Sequence, residues 1–144
     1  MQINVTFQPS AKDIGTIYQG LMALHEQQFP NLKEQSIACF LRDKTAQVVG
    51  GVCGSQLATS LYIQYLWVKP ELRGVGQGMA LLEQLEQTAK ERGVTHLFVD
   101  TFAGQAVGFY QKLGFAETGR LRHFPIANSE RVYLTKSLTK SLTS

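Results

Sequence analysis

The sequence predicts an α/β fold: one central mixed, mostly antiparallel sheet of about seven strands, flanked by helices, with one parallel strand pair. Three observations predict it. Strand-like apolar runs near 36–42, 46–58 and 60–68 follow one another across short separators, Asp43-Lys44-Thr45 and Ala58-Thr59-Ser60, as hairpins of a meander do. A glycine-rich segment and a helical pattern then lead from the run at 60–68 to a buried run at 95–101, which is a crossover and makes those two strands parallel. Two more strand-like runs, at 115–124 and 130–138, close the order β-α-β-β-β-α-β-α-β-β.

Residues 2–8 alternate in polarity, with Ile3, Val5 and Phe7 pointing one way, so a first strand is expected there. Ser10 and Asp13 form a capping box, Ile14, Ile17, Tyr18, Leu21, Leu24 and His25 recur at helical spacing, and Pro30 closes the segment. In the helix expected over about 79–92, Met79, Leu82, Leu85 and Ala89 form the apolar face. Glu86 and Lys90 stand four apart as an ion pair, and Gly93 is the stop. Gln105 to Lys112 fits a short helix ended by Gly114. The C-terminus repeats Thr-Lys-Ser-Leu at 135–138 and 139–142, too little for a repeat fold; the expectation is a single domain over 1–138 and a polar tail at 139–144.

At 144 residues the chain can bury roughly two-thirds of its unfolded surface. With 44% hydrophobic and 17% charged residues, its composition is that of a soluble globular domain. No apolar run approaches the ~20 residues that span a bilayer, so no membrane role is expected. No basic stretch leads into an apolar core at the N-terminus, so the cytoplasm is the expected compartment. Cys39 and Cys53 have no metal spacing and sit among strand-like residues, which makes them buried free thiols, with no metal expected. A net charge of +3 suits an anionic ligand and is too mild for a nucleic-acid binder.

The most informative segment is Leu66-Trp67-Val68-Lys69-Pro70-Glu71-Leu72-Arg73-Gly74-Val75-Gly76-Gln77-Gly78-Met79. A strand is halted by proline, three glycines follow at alternate positions, and a helix begins at once. Free amides and the helix dipole then converge on one point, which favours a pyrophosphate, and glycine lets it approach the backbone. The Walker loop is excluded because no Lys-Ser/Thr pair follows, and Gly-x-Gly-x-Gly is not the dinucleotide fingerprint. A glycine-rich turn shaped for packing would carry the same letters.

Arg73-Gly74-Val75-Gly76-Gln77-Gly78 resembles the Arg/Gln-x-x-Gly-x-Gly/Ala acetyl-CoA signature of the GNAT acetyltransferases. Downstream, Ala106, Phe109, Tyr110, Lys112, Gly114 and Phe115 resemble that family's second signature, Asn-x-x-Ala-x-x-Leu/Phe-Tyr-x-Lys-x-Gly-Phe. The asparagine is replaced by Ala103, so its side-chain contact is absent or taken by Gln105. The resemblance covers roughly residues 3–136 and implies an N-acetyltransferase with acetyl-CoA as co-substrate. In such a fold strand 60–68 splays from strand 95–101, and the backbone of Leu66-Trp67-Val68 meets the pantetheine arm. The loop Arg73, Gly74, Val75, Gly76, Gln77, Gly78 holds the pyrophosphate. Tyr110 protonates the departing thiolate as the catalytic acid, and Lys112 is a candidate for the adenosine phosphate end.

No general base is assigned. The strand position where the family often carries a carboxylate holds Tyr62, a poor base at neutral pH, and Gln64 on the same face cannot act as one. Glu26, His25 and His123 could relay a proton through water, and each also has a packing or solvated role. Phe29, Tyr62, Gln64 and His123 are expected to rim the site of a small-molecule or peptide amine. A homodimer is plausible for such a fold. The missing carboxylate and asparagine leave one rival, a non-catalytic acyl-CoA-binding or sensor module.

Overall fold

The computed structural model describes residues 1–139, and the end of the expected polar tail, residues 140–144, lies outside the described residues. The chain divides into two compact units, Met1–Lys33 and Glu34 onward.

The first unit is a helix, α1 (Ala11–Gln28), entered as the capping box requires: the Ser10 hydroxyl accepts from the Asp13 amide at 3.1 Å. Such a cap contributes about 1 kcal/mol. The helix ends at Gln28, just ahead of Pro30, and the Asn31 amide, at a positive φ of 65°, donates to the Glu26 carboxylate. Residues 2–8 do not form the expected strand. Alternating polarity permits a strand without making one, because a strand persists only inside a ladder, and no described ladder includes Ile3, Val5 or Phe7.

The second unit carries a six-stranded sheet rather than the expected seven: β1 (Glu34–Arg42), β2 (Val48–Leu57), β3 (Ser60–Val68), β4 (His96–Phe102), β5 (Ala116–Arg122) and β6 (Glu130–Ser137). They lie in the order β1-β2-β3-β4-β6-β5. Every pairing is antiparallel except β3 with β4. After a single 3₁₀ turn at Pro70–Leu72, α2 (Gln77–Glu91) makes the crossover, and α3 (Val107–Lys112) follows β4.

Alternation along the strands divides the sheet into two faces. Leu61, Ile63, Leu97, Val99, Val132 and Leu134 turn inward and are nearly inaccessible, packed with Leu81, Leu82, Leu85 and Ala89 of α2. Each such leucine contributes on the order of 1.5–3 kcal/mol by leaving water. Met79 departs from the expected apolar face and stays 43% exposed. Glu86 also departs: it bonds Lys136 of β6 at 2.8 Å, not Lys90. The reason is environment, since a half-buried pair is screened less than one along an exposed helix face. Cys39 and Cys53 are free and only half-buried, on adjacent strands β1 and β2.

Two local features bend β3 and part it from its neighbour. Cys53 of β2 opposes Tyr65 of β3 while Gly54 opposes Ile63, so Gln64 of β3 is an extra residue, a β-bulge that bends the strand. Parallel pairing with β4 runs from Ser60↔His96 to Ile63↔Val99 and stops there. Because β4 stays paired with β6 along its whole length, β3 is the strand that departs. The sheet therefore opens between the two parallel strands.

Candidate active site

Two cavities stand at that opening and share Leu66, Trp67 and Ala106 in their linings. The first, of about 520 Å³, is lined by Leu66, Trp67, Val68, Arg73, Gly74, Gly76, Gln77, Gly78, Met79, Phe109 and Lys112. Gly74 and Gly76 adopt φ of 84° and 85°, a left-handed conformation that side chains disfavour, and among the described residues nothing beyond the chain neighbours lies within 4 Å of where a Cβ would stand. Gly76 begins α2 without a side-chain cap, and the first amide there to find a helical partner is that of Ala80, on the Gly76 carbonyl. The amides of Gln77, Gly78 and Met79 therefore point out of the helix end, where the dipole is positive. Arg73 secures this loop, donating from Nε to the Val68 carbonyl at 2.7 Å. Val75 lies on the loop but outside the cavity, 72% exposed.

The second cavity, about 330 Å³, occupies the splay itself. Gln64, Gln105, Tyr110, Asp100 and Arg131 line it. Tyr110 stands where a Schellman motif puts it: the Phe115 amide bonds the Tyr110 carbonyl, the Gly114 amide bonds that of Gln111, and Gly114 takes φ 96°. The Phe115 and Tyr110 rings meet edge to face at 5.4 Å, the apolar contact such a motif brings. This is why the order Tyr-x-x-x-Gly-Phe fixes the phenol. Tyr110 is 4% exposed and lines this cavity. Burial, reinforced by the charge of Asp100, pushes the phenol up to about 12, so it stays protonated at neutral pH.

Sequence reasoning missed a side-chain network on the opposite face of the sheet. Tyr62 donates from its hydroxyl to Asp100 Oδ1 at 2.6 Å, and Arg131 Nε and Nη2 both reach Oδ2 at 2.6 Å. The Arg131 guanidinium lies 4.4 Å from the Phe102 ring centroid, and Tyr62 stacks on Phe98 at 4.7 Å. Asp100 holds the Tyr62 phenol up at about 12, by hydrogen bond first, then burial and charge. The available signal was alternation: Phe98, Asp100 and Phe102 share one face of β4, beside Tyr62 on β3.

The expected residues separate into groups. Leu66, Trp67, Val68, Arg73, Gly74, Gly76, Gln77, Gly78 and Lys112 come together around the first cavity, and Gln64, Gln105 and Tyr110 around the second. Tyr62 reaches the second through Asp100. His123, at φ 58°, lines a different cavity of about 300 Å³ and accepts the Asn128 amide on Nδ1. Phe29 caps α1 in the first unit and is 50% exposed. Among the described residues no cluster of three or more His, Cys, Asp or Glu side chains is arranged to hold a metal. No described helix is long and apolar enough to cross a membrane.

Comparison with known proteins agrees with this geometry. Residues 8–115 match the model of the acetyltransferase (GNAT) family. An acetyltransferase of Agrobacterium fabrum is 30% identical over 101 residues, 70% of this chain and 74% of that protein. The blasticidin-S acetyltransferase of Streptomyces morookaense is 30% identical over 89 residues, 61% of this chain and 65% of that one. The peptidyl-lysine N-acetyltransferase YjaB of Escherichia coli is 37% identical over 67 residues, spanning 46% of this chain and 44% of the relative. Among solved structures, a candidate acetyltransferase from Agrobacterium tumefaciens superposes with a TM-score of 0.89 at 26% identity, covering 96% of this chain and 100% of the other.

Proposed function

The chain belongs to the acetyltransferase (GNAT) family, and on that premise we propose that it transfers the acetyl group of acetyl-CoA to a primary amine by direct attack, with Tyr110 as the general acid. The observation that carries this reading is adjacency: a cradle at the start of α2 shares Leu66, Trp67 and Ala106 with a splay lined by a buried, protonated phenol. The residues fit acetyl-CoA. Outward-pointing amides and two glycines with open space above them suit a pyrophosphate, with Lys112 beside them for a further phosphate. The backbone edge of Gln64–Val68 that faces away from β2 has no strand partner among the described residues and can bond a pantetheine amide.

In the reaction, the amine nitrogen attacks the thioester carbon, the C–N bond forms and the C–S bond breaks. The Tyr110 hydroxyl gives its proton to the leaving thiolate and regains one from solvent. No cysteine or serine lines the splay among the described residues, which favours direct attack over an acyl relay through a thiol or a serine hydroxyl. Relatives named for blasticidin S and for peptidyl-lysine motivate a small molecule or a peptide as the amine. The cytoplasm and a homodimer complete the proposal.

The test is a titration with acetyl-CoA joined to a screen of amines, peptides included, read by thiol release. Saturable binding and amine-dependent release are expected. Binding without release for any amine would replace this reading with a non-catalytic acyl-CoA module.

A further inference from the structure

An amine acceptor titrating near ~10 arrives at neutral pH as an ammonium, which has no lone pair to attack with. Something must take its proton, and Tyr62 is already a donor to Asp100. We propose that Asp100 is the general base, taking the acceptor's proton on Oδ1 inside the splay, with Tyr62 and Arg131 as the residues that position it. This assignment rests on acetyl transfer to an amine being the reaction.

Three observations carry it. Asp100 is the one carboxylate among the described residues that line the splay, and no histidine lines it. Its orientation is fixed from two strands: Arg131 of β6 makes both its bonds to Oδ2, and Tyr62 of β3 makes one to Oδ1. A carboxylate offers about four lone-pair positions, so Oδ1 keeps one directed vacancy. Finally, strand alternation sets Asp100 on the face away from the α2 core, whereas Tyr110 comes from α3 on the core face. Both line the splay, so base and acid reach it from opposite faces of the sheet. The titratable and charged groups around Asp100 are Tyr62 from β3, Arg131 and Tyr133 from β6, and Tyr110 from α3.

The step balances. The ammonium gives one proton to Oδ1, leaving a neutral amine and a carboxylic acid. As the C–N bond forms and C–S breaks, Tyr110 protonates the thiolate. The nitrogen's surplus proton leaves to solvent, which reprotonates Tyr110, and Asp100 returns its own proton to solvent. One proton is released per thiol formed.

The experiment uses the full chain with an amine that the wild type acetylates. Asp100→Asn, which keeps an oxygen for Tyr62, should lower kcat/KM at neutral pH by ~100-fold or more, with acetyl-CoA affinity unchanged. Its deficit should shrink as pH approaches the amine's own pKa, because neutral amine then needs no base. Tyr62→Phe removes the bond that orients Oδ1, so kcat should fall with acetyl-CoA affinity unchanged, and that deficit too should shrink as pH approaches the amine's own pKa. An Asp100→Asn enzyme within ~3-fold of wild type, with an unchanged profile, would overturn the assignment, since a lost base costs far more. Should that variant fail to fold, a Tyr62→Phe enzyme with wild-type kcat at neutral pH overturns it instead. Wild-type protein that binds acetyl-CoA and acetylates no amine defeats the transferase reading itself, a result distinct from either.

Discussion

The two ends of the splay are built by different means. At the cradle, the positioning groups are consecutive: Gly74 to Met79 turn one strand end into one helix start, and backbone amides provide the chemistry. At the other end, Tyr62, Asp100 and Arg131 come from three strands, separated by 38 and 31 positions in the chain, and side chains provide it. A backbone site constrains spacing and tolerates many side chains. A side-chain site constrains identity and can be assembled from anywhere that strand register brings together. The backbone cradle and the side-chain cluster should therefore fail separately.

The largest break is expected from Gly76→Val. A β-branched residue at φ 85° is strained, and its Cβ enters the open space above the loop, so acetyl-CoA binding should be lost in calorimetry. Retained affinity would remove the loop from the donor site. Tyr110→Phe should lower kcat by ~10²-fold or more while the acetyl-CoA dissociation constant barely moves. A fully active variant would take Tyr110 out of the mechanism.

A smaller effect is expected from Gly114→Ala, which forces a side chain into φ 96° with its Cβ 3.2 Å from Lys136 Cε. It should cost about 1–2 kcal/mol in denaturant unfolding. Because Gly114 closes the motif that holds Tyr110, turnover should fall more than acetyl-CoA affinity does. The smallest effect concerns alkaline pH. Tyr62 and Tyr110 titrate near 10 when unfolded and at about 12 when folded, so between those values the unfolded chain binds fewer protons. Their contribution is whole below pH ~10 and fades as pH rises toward about 12, and Tyr62→Phe should flatten that decline in thermal melts.

What the sequence disclosed divides along the same line. The strands of the second unit, the helix stops at Gly93 and Gly114 and the glycine cradle are local features, set by hydrophobic period and turn chemistry within a few residues. The α1 cap is as local, and Ser10 performs it. Where a partner lies far along the chain, letters alone did not reveal it. Residues 2–8 alternate like a strand and join no described ladder. Glu86 faces Lys90 along the helix and bonds Lys136 across the fold. Asp100 looks like one more residue of a buried strand until its register places it beside Tyr62 and Arg131. Conversely, His123 resembles a relay in sequence and lies in another cavity. Bulge position and strand register decide these matters, and both emerge only from pairing.

The central claim is that donor and acceptor meet in one complex, the amine attacking acetyl-CoA directly across the splay. Initial rates measured over a grid of acetyl-CoA and amine concentrations test it most directly. Double-reciprocal lines that intersect are the predicted result, because both substrates must be bound before thiol is released. Parallel lines would signal a ping-pong route through an acylated side chain and would contradict direct attack.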